Sequence, residues 1–143
     1  MPHNPLETVL RLRKRAVDAS RATLATSVAA ASAADAAARE AEQMIRHERE
    51  LASDLSGDDH LVEAFAAWLP GAQNRALQAR AWHERQEAEV SRCRAELSAC
   101  RTGLESIEHL IAERRTAREH EAARLVQHAM DEAGSRIVRS DNG

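Results

Sequence analysis

Seven histidines, two cysteines and 23 acidic residues are the raw material for metal or acid–base chemistry, and spacing decides whether any of it assembles. His109 and Glu113 are four apart, which on a helix puts both on one face. Two ligands do not make a zinc site, which takes three or four. His120 and His128 are eight apart, a little over two helical turns and too far to share an ion. Cys93 and Cys100 are seven apart, so on one helix their α-carbons lie ~10.5 Å from each other. A disulfide spans less than about 7 Å, so both read as small, reduced residues. No Gly-rich phosphate loop and no Gly-x-Ser-x-Gly is present. Clusters such as Arg46-His47-Glu48-Arg49-Glu50 give helix-surface pairs of about 0.2–0.5 kcal/mol each, which need no catalytic explanation. The sequence is therefore read as carrying no catalytic residue, no metal site and no cofactor, and as no enzyme. The positive signal is recognition chemistry. Phe65, Trp68 and Trp82 fall close together, beside a turn, and tryptophan is enriched where proteins anchor one another.

The elements that must position these residues follow from a seven-residue apolar repeat. One ladder runs Leu10, Val17, Leu24, Ala31, Ala38, Ile45 and Ala52; a second runs Val90, Leu97, Leu104 and Ile111, with Cys93, Cys100 and Ile107 three positions further along. Such a seam needs a helical partner to leave water. A turn-rich stretch separates the ladders, so the partner is expected to be the other half of the same chain. The fold class read from this is all-α, a long antiparallel two-helix coiled-coil hairpin with a short helical segment near the turn.

Composition agrees. With 143 residues, 30% charged, 2% aromatic and a mean hydropathy of −0.53, the chain suits long helices rather than a thick core. Net charge is −3, which provides no bulk field for nucleic acid or an anionic membrane. The basic start, Arg11, Arg13, Lys14, Arg15 and Arg21, has no interleaved aromatics to stack bases, so no nucleic acid is expected. That start and the alanine-rich 22–38 superficially imitate a signal peptide, but Asp18 and Asp35 interrupt it and the seven-residue phase runs through it. No run approaches the ~20 apolar residues of a membrane span. A cytoplasmic protein without membrane insertion is expected.

A single coiled-coil domain, 1–143, is expected to divide as follows. After an extended leader, Asn4 and Pro5 read as a helix cap and first helical residue, and helix one runs over about 5–55. Within it, 29–38 holds eight alanines in ten positions, slender and poorly specified in register. The turn and short helix occupy about 56–71, with Ser56-Gly57-Asp58-Asp59 as stop and cap and Pro70-Gly71 as a second break or kink. Helix two covers about 72–134, with Gly134 as its stop, and 135–143 is a loose tail. After Ile111 the seam positions become Arg114, Arg118 and Glu121 before Leu125, so either the phase shifts or the helices splay.

The chain resembles FliJ, the small coiled-coil component of the flagellar export apparatus, and its central-stalk counterparts in type III secretion. The resemblance rests on Pro5-Leu6-Glu7-Thr8-Val9-Leu10-Arg11-Leu12-Arg13, then Ala16-Val17-Asp18-Ala19 and Leu24-Ala25. It continues with the aromatic segment Phe65-Ala66-Ala67-Trp68-Leu69, with Glu108-x-Leu110-Ile111-x-Glu113-Arg114-Arg115, and with Met130-Asp131-Glu132-Ala133, similar to the family's closing Leu-Asp-Glu-hydrophobic motif. Pro70-Gly71 directly after the aromatic segment departs from the family pattern. The resemblance implies a hairpin like the stalk of rotary ATPases, monomeric alone, that inserts its paired termini into the hexameric export ATPase and stimulates it. It implies contact with the cytoplasmic domain of the export gate and with export chaperones, and a cytoplasmic location, peripheral at the inner face of the cell membrane through the apparatus. On that basis the ATPase-binding residues are Leu6, Leu10, Arg11, Arg13, Arg15, Met130, Asp131 and Arg136. The gate-binding residues are Met44, His47, Leu51, Phe65 and Trp68. The competing reading is a purely structural coiled coil, a dimer or assembly scaffold with no export role.

Overall fold

A computed structural model describes residues 4–54 and 57–143. Two helices account for nearly all of them: α1, Pro5–Asp54, and α2, Asp59–Asp141. Each starts where its sequence supplies a cap. The Asn4 side-chain oxygen accepts from the Leu6 amide at 3.1 Å and its carbonyl from the Glu7 amide at 3.1 Å, so Pro5 occupies the first helical position, where a missing N–H is harmless. Asp58 does the same for α2, accepting from the His60 amide at 3.1 Å. Of the extended leader expected over Met1 to Pro5, Pro5 is already helix, and Met1–His3, like the helix end and stop expected at Leu55 and Ser56, lie outside the described residues.

The helices pair antiparallel, and their contacts fall into two compact units, residues 16–100 and residues 1–15 with 101–143. In the first, Arg80 reaches Glu42 while His83, later in the chain, lies near the earlier Asp35. In the second, Leu6 and Leu10 share a groove with Ile111 and Arg115, while Arg13 lies over Gly103.

Both ladders are the seam. Val17, Ala31, Ala38, Val90, Cys93 and Leu97 are buried, and Leu10, Leu24, Ile45, Ala52, Cys100, Leu104, Ile107 and Ile111 are half-buried. Both cysteines are free thiols. The alanines do what small residues do at a helix pair: Ala38 is completely covered and Ala31, Ala34, Ala72 and Ala76 nearly so. Covering alanine with alanine contributes little, since each buried methyl(ene) group is worth only ~0.8 kcal/mol. Leu97 is the largest of the buried apolar side chains.

Three expectations about α2 need correction. The short segment near the turn does not end at Pro70-Gly71; it is the first part of α2, which runs unbroken from Asp59. Pro70 removes the amide that would have bonded the Ala66 carbonyl, at a cost of ~3 kcal/mol in a helix interior. Ala66 and Pro70 are both exposed, so water can satisfy that carbonyl, and the burial of Ala72 and Ala76 just beyond holds the helix to its course. Gly134 is not the stop either, and 135–141 is helix rather than loose tail. A mid-helix glycine costs ~1 kcal/mol, too little to end a helix whose neighbours favour it. Arg139 in the last turn also complements the helix dipole.

The charged seam positions after Ile111 have a simpler cause than a phase shift. α1 begins at Pro5, and the groove formed by Leu6, Glu7 and Leu10 reaches no further along α2 than Glu119. Every residue from 112 to 143 is exposed.

Candidate interaction surfaces

Beside the turn, in the unit 16–100, residues one helical turn apart on α1 (Met44, Glu48, Leu51, Ala52) face a similar row on α2 (Leu61, Ala64, Phe65, Trp68) across a groove of about 460 Å³. Two helices alone cannot cover large side chains on both rows, because a third wall is missing. Met44 remains 52% exposed, Leu51 42% and Leu61 45%. Phe65 and Trp68 are half-buried, with ring centroids 5.9 Å apart and planes tilted by 38°, an arrangement favourable to aromatic pairs. Glu48 places a carboxylate in this otherwise apolar wall.

Of the expected gate-binding residues, Met44, Leu51, Phe65 and Trp68 come together here; His47 is exposed but does not line the groove. Leu61 and Glu48 were missed. The signal was available: Leu61, Phe65 and Trp68 stand at i, i+4 and i+7, and Glu48 is four residues beyond Met44. The aromatic cluster itself is smaller than expected. Trp82 stands apart from Phe65 and Trp68, half exposed at 51%, with the Arg85 guanidinium 5.4 Å from its ring centroid.

Further along this unit an ionic network crosses the alanine seam. Arg80 donates from Nη2 to Glu42 Oε1 at 2.8 Å, and its Nη1 lies 3.5 Å from Asp35 Oδ1. His83 Nε2 sits 3.9 Å from Asp35 and 3.4 Å from Glu87. The hydrogen bond to Glu42 raises the Arg80 pKa above its ordinary value, against the opposing effect of burial. These directional contacts supply the register that alike alanine knobs cannot. On the outer side, Arg92 bonds both Glu89 and Glu96 and holds the Glu89 carboxyl below its ordinary pKa.

The second unit carries a different surface. Leu6 and Leu10 line a groove of about 350 Å³ with Ile111, Arg114, Arg115 and Arg118, while Arg11, Arg13 and Arg15 are exposed on α1. Arg13 crosses α2 where Gly103 leaves room: a Cβ there would stand 3.2 Å from its Nη1. Of the expected ATPase-binding residues, Leu6 and Leu10 lie in this groove. Met130, Asp131 and Arg136 lie beyond it, on the part of α2 without a described partner from α1. There Leu125 (59% exposed), Val126 (58%), Met130 (64%) and Ile137 (64%) share one face with Ala122, Ala129 and Ala133 at about 100° per residue. Asp131 accepts from Gln127 Nε2 at 3.1 Å on the polar side.

Among the described residues no group of three or more His, Cys, Asp or Glu is placed to hold a metal ion, and His109 Nε2 lies 3.1 Å from Glu113 on an exposed surface. No helix among them is long and apolar enough to cross a membrane.

Comparison with curated proteins and with solved structures finds no match. A family model does match, over residues 2–143, and its description is Flagellar FliJ protein. The ordered ladders, the caps and the helical hairpin agree with the motifs that carried the resemblance. The chain belongs to the FliJ family and is a component of the flagellar export apparatus.

Proposed function

We propose that this chain is a non-enzymatic cytoplasmic stalk that binds and stimulates the hexameric export ATPase through the unit holding both termini, and contacts the export gate through the groove beside the turn. The observation that carries the reading is the uncovered part of α2. Leu125, Val126, Met130 and Ile137 form an apolar stripe that no described residue of α1 reaches, in the same unit as the exposed Arg11, Arg13 and Arg15. A soluble monomer rarely leaves such a stripe open unless a partner closes it. An ATPase channel lined by apolar and acidic side chains would match it. Export chaperones are a further partner class, for which the exposed Trp82–Arg85 pair is the surface of choice.

The test is capture of the purified cognate ATPase and the cytoplasmic gate domain by the full chain, together with the ATPase rate. Binding of both, a raised rate, and loss of the stimulation on Met130→Asp with Ile137→Asp support the proposal. Absence of binding and an unchanged rate would sink it. Sedimentation separates the competing scaffold reading: a stalk sediments at 15.8 kDa, a coiled-coil dimer at twice that.

A further inference from the structure

The groove beside the turn has a chemistry that specifies its occupant. Its apolar floor runs over about two turns of each helix, from Met44 to Ala52 on α1 and from Leu61 to Trp68 on α2. That matches the seat of one further helix presenting apolar residues at i, i+3 or i+4, and i+7. The stretch of chain that carries it is acidic. From residue 46 to residue 63 the sequence has six carboxylates, Glu48, Glu50, Asp54, Asp58, Asp59 and Glu63, against Arg46 and Arg49, for a net −4 with the histidines neutral. The whole chain is only −3, so this stretch is acidic and the remainder is +1. At about 100° per residue Glu50, Asp59 and Glu63 lie on faces turned away from the groove, which leaves Glu48, Asp54 and Asp58 as the carboxylates on its side or at its turn end. Glu48 lies in the groove wall itself. Asp54 closes α1 and Asp58 caps α2, which puts both at the turn.

We propose that the groove accepts a basic amphipathic helical segment of a partner protein, its apolar face against Met44, Leu51, Leu61, Phe65 and Trp68 and its lysines or arginines toward Glu48 and the turn carboxylates Asp54 and Asp58. Opposite potentials steer the encounter and exclude acidic competitors. A cation at the edge of the segment also finds the face of Trp68, a favourable site for it. A second copy of this chain is a poor occupant. Its uncovered apolar stripe lies on 112–143, where six arginines are balanced by six carboxylates, so that segment is not basic. Its basic stretch, 11–15, belongs to a helix whose apolar face is already used against α2, with Val17 3% exposed and Leu10 half-buried. An anionic membrane is repelled by the same carboxylates.

This inference rests on the reading that the groove docks a partner of the export apparatus, and adds the partner's chemistry. Trp82→Phe leaves Trp68 as the sole tryptophan of the 143-residue chain, a reporter inside the groove. Two synthetic 18-residue peptides serve as probes, both with leucine at i, i+3, i+4 and i+7, one with lysine and one with glutamate at the remaining positions. The expected result is a shift of Trp68 emission and at least tenfold tighter binding of the Leu/Lys peptide. Glu48→Lys with Asp54→Lys should abolish or reverse that preference, and Phe65→Ala, checked for unchanged helicity, should weaken binding tenfold or more. Equal affinity for the two peptides, or Leu/Lys binding untouched by charge reversal and by Phe65→Ala, would overturn the inference. Gate-domain capture without a basic preference removes the charge assignment and keeps the docking reading. A basic preference without gate-domain capture keeps the charge assignment and removes the gate as the partner.

Discussion

Ser27 is buried at 7% exposure with its hydroxyl unpartnered, although Thr23 and Thr26 beside it return theirs to the carbonyls four residues back. Its size suits the close approach of α2 near Cys93, but its hydroxyl has lost water without replacement. An unpaired buried hydroxyl costs about 1–3 kcal/mol. Ser27→Ala should therefore stabilise the hairpin by about 1 kcal/mol, read as a rise in urea midpoint with unchanged slope. Glu89 gives the pH-dependent counterpart. The hydrogen bond from Arg92 is the main cause of its depressed pKa, with burial acting against it. A carboxyl with a lowered folded pKa contributes stability that is fully present above its unfolded value, near 4.3, and is lost as pH falls through the folded one. Arg92→Ala should then lower the melting temperature at neutral pH, and its difference from wild type should vanish in acid once Glu89 is protonated in both proteins. A difference that persists at pH 2 would assign the effect of Arg92 to its stem rather than its charge.

At the scale of the element, α2 is a helix laid over two residues that ordinarily interrupt one. Pro70 is exposed and sits between the half-buried Trp68 and the buried Ala72. Pro70→Ala restores the amide for the Ala66 carbonyl and removes the ring's clash, so it should raise stability by up to ~3 kcal/mol. Thermal unfolding by circular dichroism checks this, with Trp68 fluorescence to establish that the groove keeps its shape. A loss of stability instead would mean that a bend imposed by the proline is what seats Phe65 and Trp68. The caps at Asn4 and Asp58 were legible from residue type and position alone, because their chemistry is local. The continuity of α2 was not. Whether a proline breaks a helix depends on what buries the turns on either side, and Ala72 and Ala76 are buried by residues far away in the chain.

At the scale of the molecule, the two helices are unequal, and the excess of α2 is the consequence. Residues 112–143 are exposed throughout, so they add helix content without adding to the packed seam. Deleting 120–143 should leave the melting temperature of the hairpin unchanged within experimental error while lowering the helical signal in proportion to the residues removed. In the proposed function the same deletion abolishes ATPase stimulation and spares binding at the groove beside the turn. A fall of several degrees in melting temperature would show instead that this part of α2 packs within the protein.

The sequence by itself determined the pairing of two long helices, their caps, the seam residues and the family, though not the bounds of α2, because a seven-residue repeat, a cap and a set of ordered motifs are written in adjacent positions. The family resemblance brought forward Met44, His47, Leu51, Phe65 and Trp68 as a set, and all but His47 line one groove. Only the tertiary structure decided that Leu61 and Glu48 complete their groove, that Trp82 stands outside it, and that Arg80 pins the alanine seam to Glu42 and Asp35. Those facts depend on which residue of α2 lies opposite which residue of α1. Alanine knobs are too alike to encode that register locally, so it is set by ion pairs between residues some 40 positions apart.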